Sequence, residues 1–224
     1  MREMIENGIL GLLGSGILET LYMIFASTLM AYVFGLPLGV ILQVTDKGGI
    51  CENRPINLVL GVIVNLLRSV PFIILLVWIL PFTRFVVGTT IGSTATVVPL
   101  VVSATPFVAR MVESSLKEVN GGVVEAAQSM GSTPMQIICK VLLPEARPSL
   151  VVGSTIAITT ILGYTAMAGF VGGGGLGAIA VNYGYYRYQD DVMLITVVLL
   201  VILVQIFQEI GMRIAKRTDR RLTH

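Results

Sequence analysis

The chain has 224 residues, 54% of them hydrophobic and only 12% charged, where a soluble domain carries about 25% charged residues. That composition excludes a soluble globular fold and describes an all-α integral membrane protein without a separate extramembrane domain. The net charge of +2 reports membrane topology and gives no sign of nucleic acid binding.

Spanning helices need roughly 20 apolar residues each, and five are predicted: residues 20–42, a region within 58–87, then 91–112, 150–171 and 192–212. The opening residues carry Glu3, Glu6 and Glu19 and lack a basic run before an apolar core. They read as a short interfacial helix and not as a cleavable signal peptide. In the second span, a helix long enough to hold both Arg68 and Arg84 is expected, with Arg68 toward the cytoplasmic half and serving local structure.

Between the third and fourth spans, residues 113–148 predict two short amphipathic helices. Asn120 caps the first, whose Val123, Ala126, Ala127 and Met130 follow i, i+3, i+4, i+7 spacing, and Gly131 supplies a left-handed end. Thr133, Pro134 and Gln136 form a capping box that opens the second, with Met135, Ile138, Cys139 and Leu142 as its apolar face. Pro144 should stop it. So short a pair cannot cross a bilayer, so its apolar faces lie either against this chain's own span ends or in a groove of a soluble partner.

In the fourth span, Thr155, Thr159 and Gly163 share one stripe and Gly153, Ala157 and Thr160 another. Small residues in this pattern serve close helix packing more often than they line a pore. Tyr164 and Met167 stand at i, i+3 near the outer end of this span, where they would either close a narrow pathway, with Thr159 below them, or fill gaps between helices. The fifth span is apolar all round and should face lipid over part of its circumference.

Eleven basic residues fall on one side of this arrangement: Lys47, Arg54, Arg110, Lys117, Lys140, Arg147, Arg213, Lys216, Arg217, Arg220 and Arg221. Only Arg2, Arg84 and Arg187 fall on the other. The positive-inside rule therefore sets the C-terminus in the cytoplasm and the N-terminus outside. Cys51 and Cys139 both fall on the reducing side, and no disulfide or metal site is expected.

Several chemistries are disfavoured. The only histidine is the final residue, His224, so no nucleophile–histidine dyad assembles within the membrane and an enzyme is not expected. No predicted span holds Asp or Glu near its centre, which disfavours an autonomous ion-coupled carrier. The run "GGGGLG" at 172–177 ends a membrane span and is followed by no Lys-Ser or Lys-Thr, so tight turning accounts for it better than phosphate binding. Energy for uphill transport would have to come from another subunit.

One pattern is more specific. Glu125-Ala126-Ala127, then Gly131, then Val141, then Leu143-Pro144 resembles the E-A-A-x(3)-G-x(9)-I-x-L-P signature of the permease subunits of bacterial ABC importers, with Val141 in place of Ile. The likeness runs from about residue 19 to residue 213. "RSVPFIILLVWILPFTRFVVGTTIG", "TPFVARMVE" and "GYTAMAGFVGGGGLGAIAVNYGY" are most similar to methionine-importer permeases, the first stretch tipping the choice over phosphonate or glycine-betaine relatives.

The resemblance implies a type I importer fold in the bacterial inner membrane, with Glu125, Ala126, Ala127, Gly131, Met135, Ile138, Leu143 and Pro144 in the coupling helix that docks into the ATPase. It further implies a second copy of the chain, two ABC ATPases that use ATP and Mg, and an extracytoplasmic substrate-binding lipoprotein. No cofactor is expected on this chain itself, and L- or D-methionine is the implied solute.

Overall fold

A computed structural model describes residues 2–218. Arg220, Arg221 and His224 therefore lie outside the described residues. The fold is all helical: α1 (Arg2–Thr45), α2 (Arg54–Ser69), α3 (Phe72–Trp78), α4 (Leu80–Val87), α5 (Ser93–Lys117), α6 (Gly121–Ser129), α7 (Pro134–Ile137), α8 (Leu143–Glu145), α9 (Arg147–Ala168), α10 (Gly175–Ile179) and α11 (Asp190–Thr218). Among the described residues, four helices are long and apolar enough to cross a membrane, and α2 with α3 makes a fifth candidate in two pieces.

That break corrects the single long second helix expected from sequence. Pro71 has no N–H to donate and disfavours helical backbone in the residue before it, so α2 ends at Ser69 and a new helix starts at Phe72. Arg68 and Arg84 consequently belong to different helices.

The amino-terminal expectation is corrected as well. Residues 2–19 do not form a separate interfacial helix but run unbroken into α1, whose 44 residues extend about 66 Å. Tertiary packing explains the continuity despite Gly8, Gly11 and Gly14. Ile9, Leu12, Leu13 and Ile17 make an apolar stripe that packs on Leu176, Ile179, Val192 and Leu199.

The chain divides into two compact units. One comprises the chain up to Met30 with Val70–Ala104 and Ile158–Phe207; the other comprises Ala31–Ser69, Thr105–Ala157 and the chain from Gln208 on.

In the first unit, the glycine run makes the tight turn expected of it. Gly172 and Gly175 both have φ of +79°, which only glycine adopts without strain. A Cβ on Gly177 would stand 2.6 Å from Ala166 Cα, so α10 lies directly on the end of α9. Gly175 donates its N–H to the Glu19 carboxylate at 2.7 Å, and Leu176 donates to Thr20 Oγ1 at 2.9 Å. Two donors orphaned at the start of α10 are thereby satisfied from α1.

In the second unit, α1 and α5 meet through glycine. A Cβ on Gly35 would lie 2.8 Å from Val108 Cγ1, and one on Gly39 would lie 2.5 Å from the Ala109 carbonyl oxygen. Val108, Ala109 and Val112 are buried there. Gly153 and Ala157 of α9 are buried too, Gly153 against Met111, which bears out the packing use of one small-residue stripe. Helix α11 buries only 6% of its most apolar stretch, consistent with a lipid-facing surface.

Candidate functional site

The two helices between α5 and α9 belong to the second unit, and their ends are built as the local sequence dictates. Asn120 Oδ1 accepts from Gly122 N–H at 2.8 Å and caps α6. Gly131 has φ of +76°, and Ser132 donates its N–H back to the Ala127 carbonyl at 3.1 Å, closing the helix end. The capping box is complete: Thr133 N–H donates to Gln136 Oε1 at 2.9 Å, and Gln136 N–H donates to Thr133 Oγ1 at 3.4 Å. Thr133→Ala removes half of that box and should cost about 1 kcal/mol, read as earlier thermal unfolding of the detergent-solubilised protein.

The second helix departs from expectation at its end. Pro144 does not stop it. Residues Ile138–Leu142 form a π turn and the chain continues helically through Leu143–Glu145. Widening the helix just before Pro144 removes the need for its missing N–H and relieves the clash with the carbonyl four residues earlier.

The faces sort by burial. Ala127, Ile137 and Leu142 are buried against the second unit. Val123, Met130 and Met135 are 44%, 79% and 68% exposed, and Glu125, Ala126, Gly131 and Cys139 are exposed with them. Ile138, Leu143 and Pro144 are half-buried. The residues expected to form one apolar face on each helix are thus divided, and the buried Ile137 was not among them. Met135 and Cys139 are in contact, Sγ to Sδ 3.8 Å. A cavity of about 240 Å³ opens beside α6, lined by Gly48 and Gly49 on one side and Val124, Glu125 and Gln128 on the other. Two methionines and a valine beside an exposed glutamate make a soft apolar surface with an acidic edge, suited to a complementary protein groove.

The second unit also holds an ionic cluster that the sequence reading did not single out. Glu113, on α5, accepts from Arg110 Nη1 at 2.6 Å and Lys117 Nζ at 2.9 Å. Lys117 also reaches Asp46 at 2.8 Å. Arg110 Nη2 further donates to the Gly61 carbonyl and Asn65 Oδ1 of α2, both at 2.9 Å. The Lys117 ammonium and the Lys47 backbone N–H hold the Asp46 carboxyl below its ordinary range. The i, i+3, i+7 spacing of Arg110, Glu113 and Lys117 was a readable signal of this cluster.

The pathway residues are more scattered. Tyr164 stacks on Phe72, ring centroids 4.4 Å apart and planes 8° from parallel, whereas Met167 is 44% exposed. Gly163 has open space around it. Thr159 is half-buried and engaged in an interaction. Spacing alone grouped Tyr164 with Met167; the ring stack occupies one and leaves the other open. Arg68 is exposed and makes no hydrogen bond or ion pair among the described residues, so the local-structure role expected for it finds no partner.

Apolar helices long enough to cross a membrane, one candidate span in two pieces, together with a short, partly exposed helix pair between α5 and α9, describe a membrane-embedded component. The chain belongs to the family of binding-protein-dependent transport system inner membrane components, whose family model matches residues 35–224. It is 54% identical over 203 residues to the probable D-methionine transport system permease protein MetI of Vibrio cholerae serotype O1, covering 91% of this chain and 90% of that one. The protein of the same description from Pasteurella multocida is 52% identical over 210 residues, covering 94% and 97%. Among solved structures, the inward-facing MetNI methionine ABC transporter matches with a TM-score of 0.94 at 52% identity, covering 95% of this chain and 99% of that one. The fold is that of a type I ABC importer permease.

Proposed function

We propose that this chain is the permease subunit of an ATP-driven methionine importer, taking L-methionine, D-methionine or both. Two copies form the translocation pathway on their two-fold axis, since a protomer of this size encloses no pathway alone. Two ABC ATPases dock on the α6–α7 surfaces and supply the energy from ATP and Mg, and an extracytoplasmic binding lipoprotein delivers the solute. The C-terminus and the α6–α7 pair face the cytoplasm and the N-terminus faces outside, as the basic residues require. The exposed apolar face of Met130 and Met135 within the Glu125 to Pro144 signature, extended by Val123 just before it, carries this reading. Methionine as solute is supported by the named function of relatives above 50% identity across nearly the whole chain.

Co-reconstitution with its ATPase and binding protein in liposomes tests it directly. Labelled methionine should accumulate only with ATP. Accumulation without the ATPase would replace this reading with an autonomous carrier, and uptake of phosphonate or glycine betaine in place of methionine would replace the solute. Glu125→Lys, reversing charge on the docking surface, should weaken co-purification of the ATPase.

Met167, with Tyr164 and Thr159 nearby in sequence, seals the pathway on its outer side. Met167→Ala should raise solute leak without ATP while the yield of folded protein holds. A Met167→Cys protein closed to small thiol reagents both without nucleotide and in an ATP-trapped state would remove the residue from the pathway.

A further inference from the structure

Helix α2 carries a polar stripe from end to end. Arg54, Asn57, Gly61, Asn65 and Arg68 follow i, i+3, i+7, i+11, i+14 spacing and fall within a sector of about 80°. The opposite side holds Ile56, Val59, Ile63 and Leu66, all exposed, as suits contact with lipid. Most of the polar stripe is answered from within the second unit. Asn57 Nδ2 donates to the Leu42 carbonyl at 2.7 Å, and Gly61 and Asn65 accept from Arg110. One turn further on, Arg68 lies on the same stripe and makes no hydrogen bond or ion pair among the described residues.

Depth would make an unanswered charge costly. Arg68 stands fourteen residues beyond Arg54, about 21 Å along the helix axis, a distance that carries it inside a hydrocarbon core of about 30 Å where α2 enters the bilayer at Arg54. A lone guanidinium at such depth is tolerated only where it faces water or an anionic group. The helix also ends there, at Ser69, and non-helical backbone at membrane depth is confined to protein interiors and water-filled cavities. Interrupted helices of this kind mark solute sites in transporters, because a helix end adds unpaired backbone groups to the side chains. At Arg68 the guanidinium offers a planar fork for a carboxylate. The carbonyl end of α2 beside it offers acceptors and negative dipole for an ammonium.

We infer that Arg68 lines the solute path and holds the carboxylate of the amino acid in transit, with the broken end of α2 taking its ammonium. This rests on the reading of the chain as an amino-acid importer and assigns a specificity role within it. The guanidinium offers an intermediate stop at mid-membrane depth and selects zwitterionic solutes over amides and simple thioethers.

The test uses the complete complex in liposomes, with wild type, Arg68→Gln and Arg68→Lys compared for uptake of labelled methionine and of methionine amide. Selection by the binding protein is common to all three and cancels in the ratio between variants. Arg68→Gln should lower methionine uptake about tenfold or more, the loss of one charge-assisted pair, and should narrow the preference for methionine over its amide. Arg68→Lys should recover part of both. Assembly with the ATPase should match wild type. Unchanged uptake or an unchanged preference in Arg68→Gln overturns the assignment, and so does a dimer that fails to assemble in both variants, which would make Arg68 a structural contact between copies. Failure of the wild-type complex to take up methionine would instead overturn the importer reading itself.

Discussion

Glu113→Ala should lower the stability of the permease by about 3 kcal/mol, the range for removing one member of a buried ion pair. Its side chain is 8% exposed and engages two cations. Removing it leaves the Arg110 guanidinium, tied to α2 by Gly61 and Asn65, without its counter-charge. Lys117 contributes little to the loss, because it is nearly half exposed and keeps Asp46. Glu113→Gln retains an acceptor and should cost roughly half as much. The measurement is the midpoint of thermal unfolding in detergent, followed by size-exclusion chromatography. A midpoint unmoved by Glu113→Ala would show that the cluster is held by its surroundings and not by the charge pair. Arg110→Met together with Glu113→Leu should lose less than the single Glu113→Ala, because no unpaired charge remains.

The cluster also marks where sequence reading ran out. Features set by neighbours a few residues apart were legible: the Asn120 cap, the Gly131 turn and the Thr133 capping box all form with the residues expected. Four of the five spans were legible because apolar length fixes them, whereas the second breaks at Pro71. Pairings across the chain were not. Arg110 meets Asn65, and Lys117 meets Asp46, across separations that no periodicity encodes. The close approach of α1 and α5 could have been anticipated from Gly35-x-x-x-Gly39, a spacing that lets helices touch backbone to side chain.

Two other departures have local causes that compete with a general rule. Proline usually ends a helix, and at Pro71 it does. At Pro144 the helix widens into a π turn and passes through, and the buried Leu142, two residues earlier, anchors that segment. Likewise, i, i+3 spacing put Tyr164 and Met167 on one side of α9, but Phe72 covers the Tyr164 ring and only Met167 remains open. Burial by a distant residue divides what helical geometry unites.

Gly131→Val should uncouple the transporter while leaving the permease folded. Gly131 has φ of +76° and open space where a Cβ would stand, so the substitution meets no clash. Its whole cost is backbone strain, about 1 to 2 kcal/mol for a side chain in the left-handed region. A β-branched residue belongs at the top of that range. The chain can relieve the strain only by changing the turn between α6 and α7, which redirects Met135 relative to Met130 and breaks the shared exposed face. The membrane helices do not depend on this turn, so insertion and monodispersity should persist while co-purification of the ATPase falls severalfold and methionine uptake per ATP hydrolysed falls further. Gly131→Asn is the discriminating control, because asparagine enters the left-handed region at lower cost. It should keep most of the coupling that valine loses. Equal loss in both variants would point to the missing hydrogen, and thus to a partner backbone packed against Gly131; equal retention would show that the direction of α7 is set elsewhere.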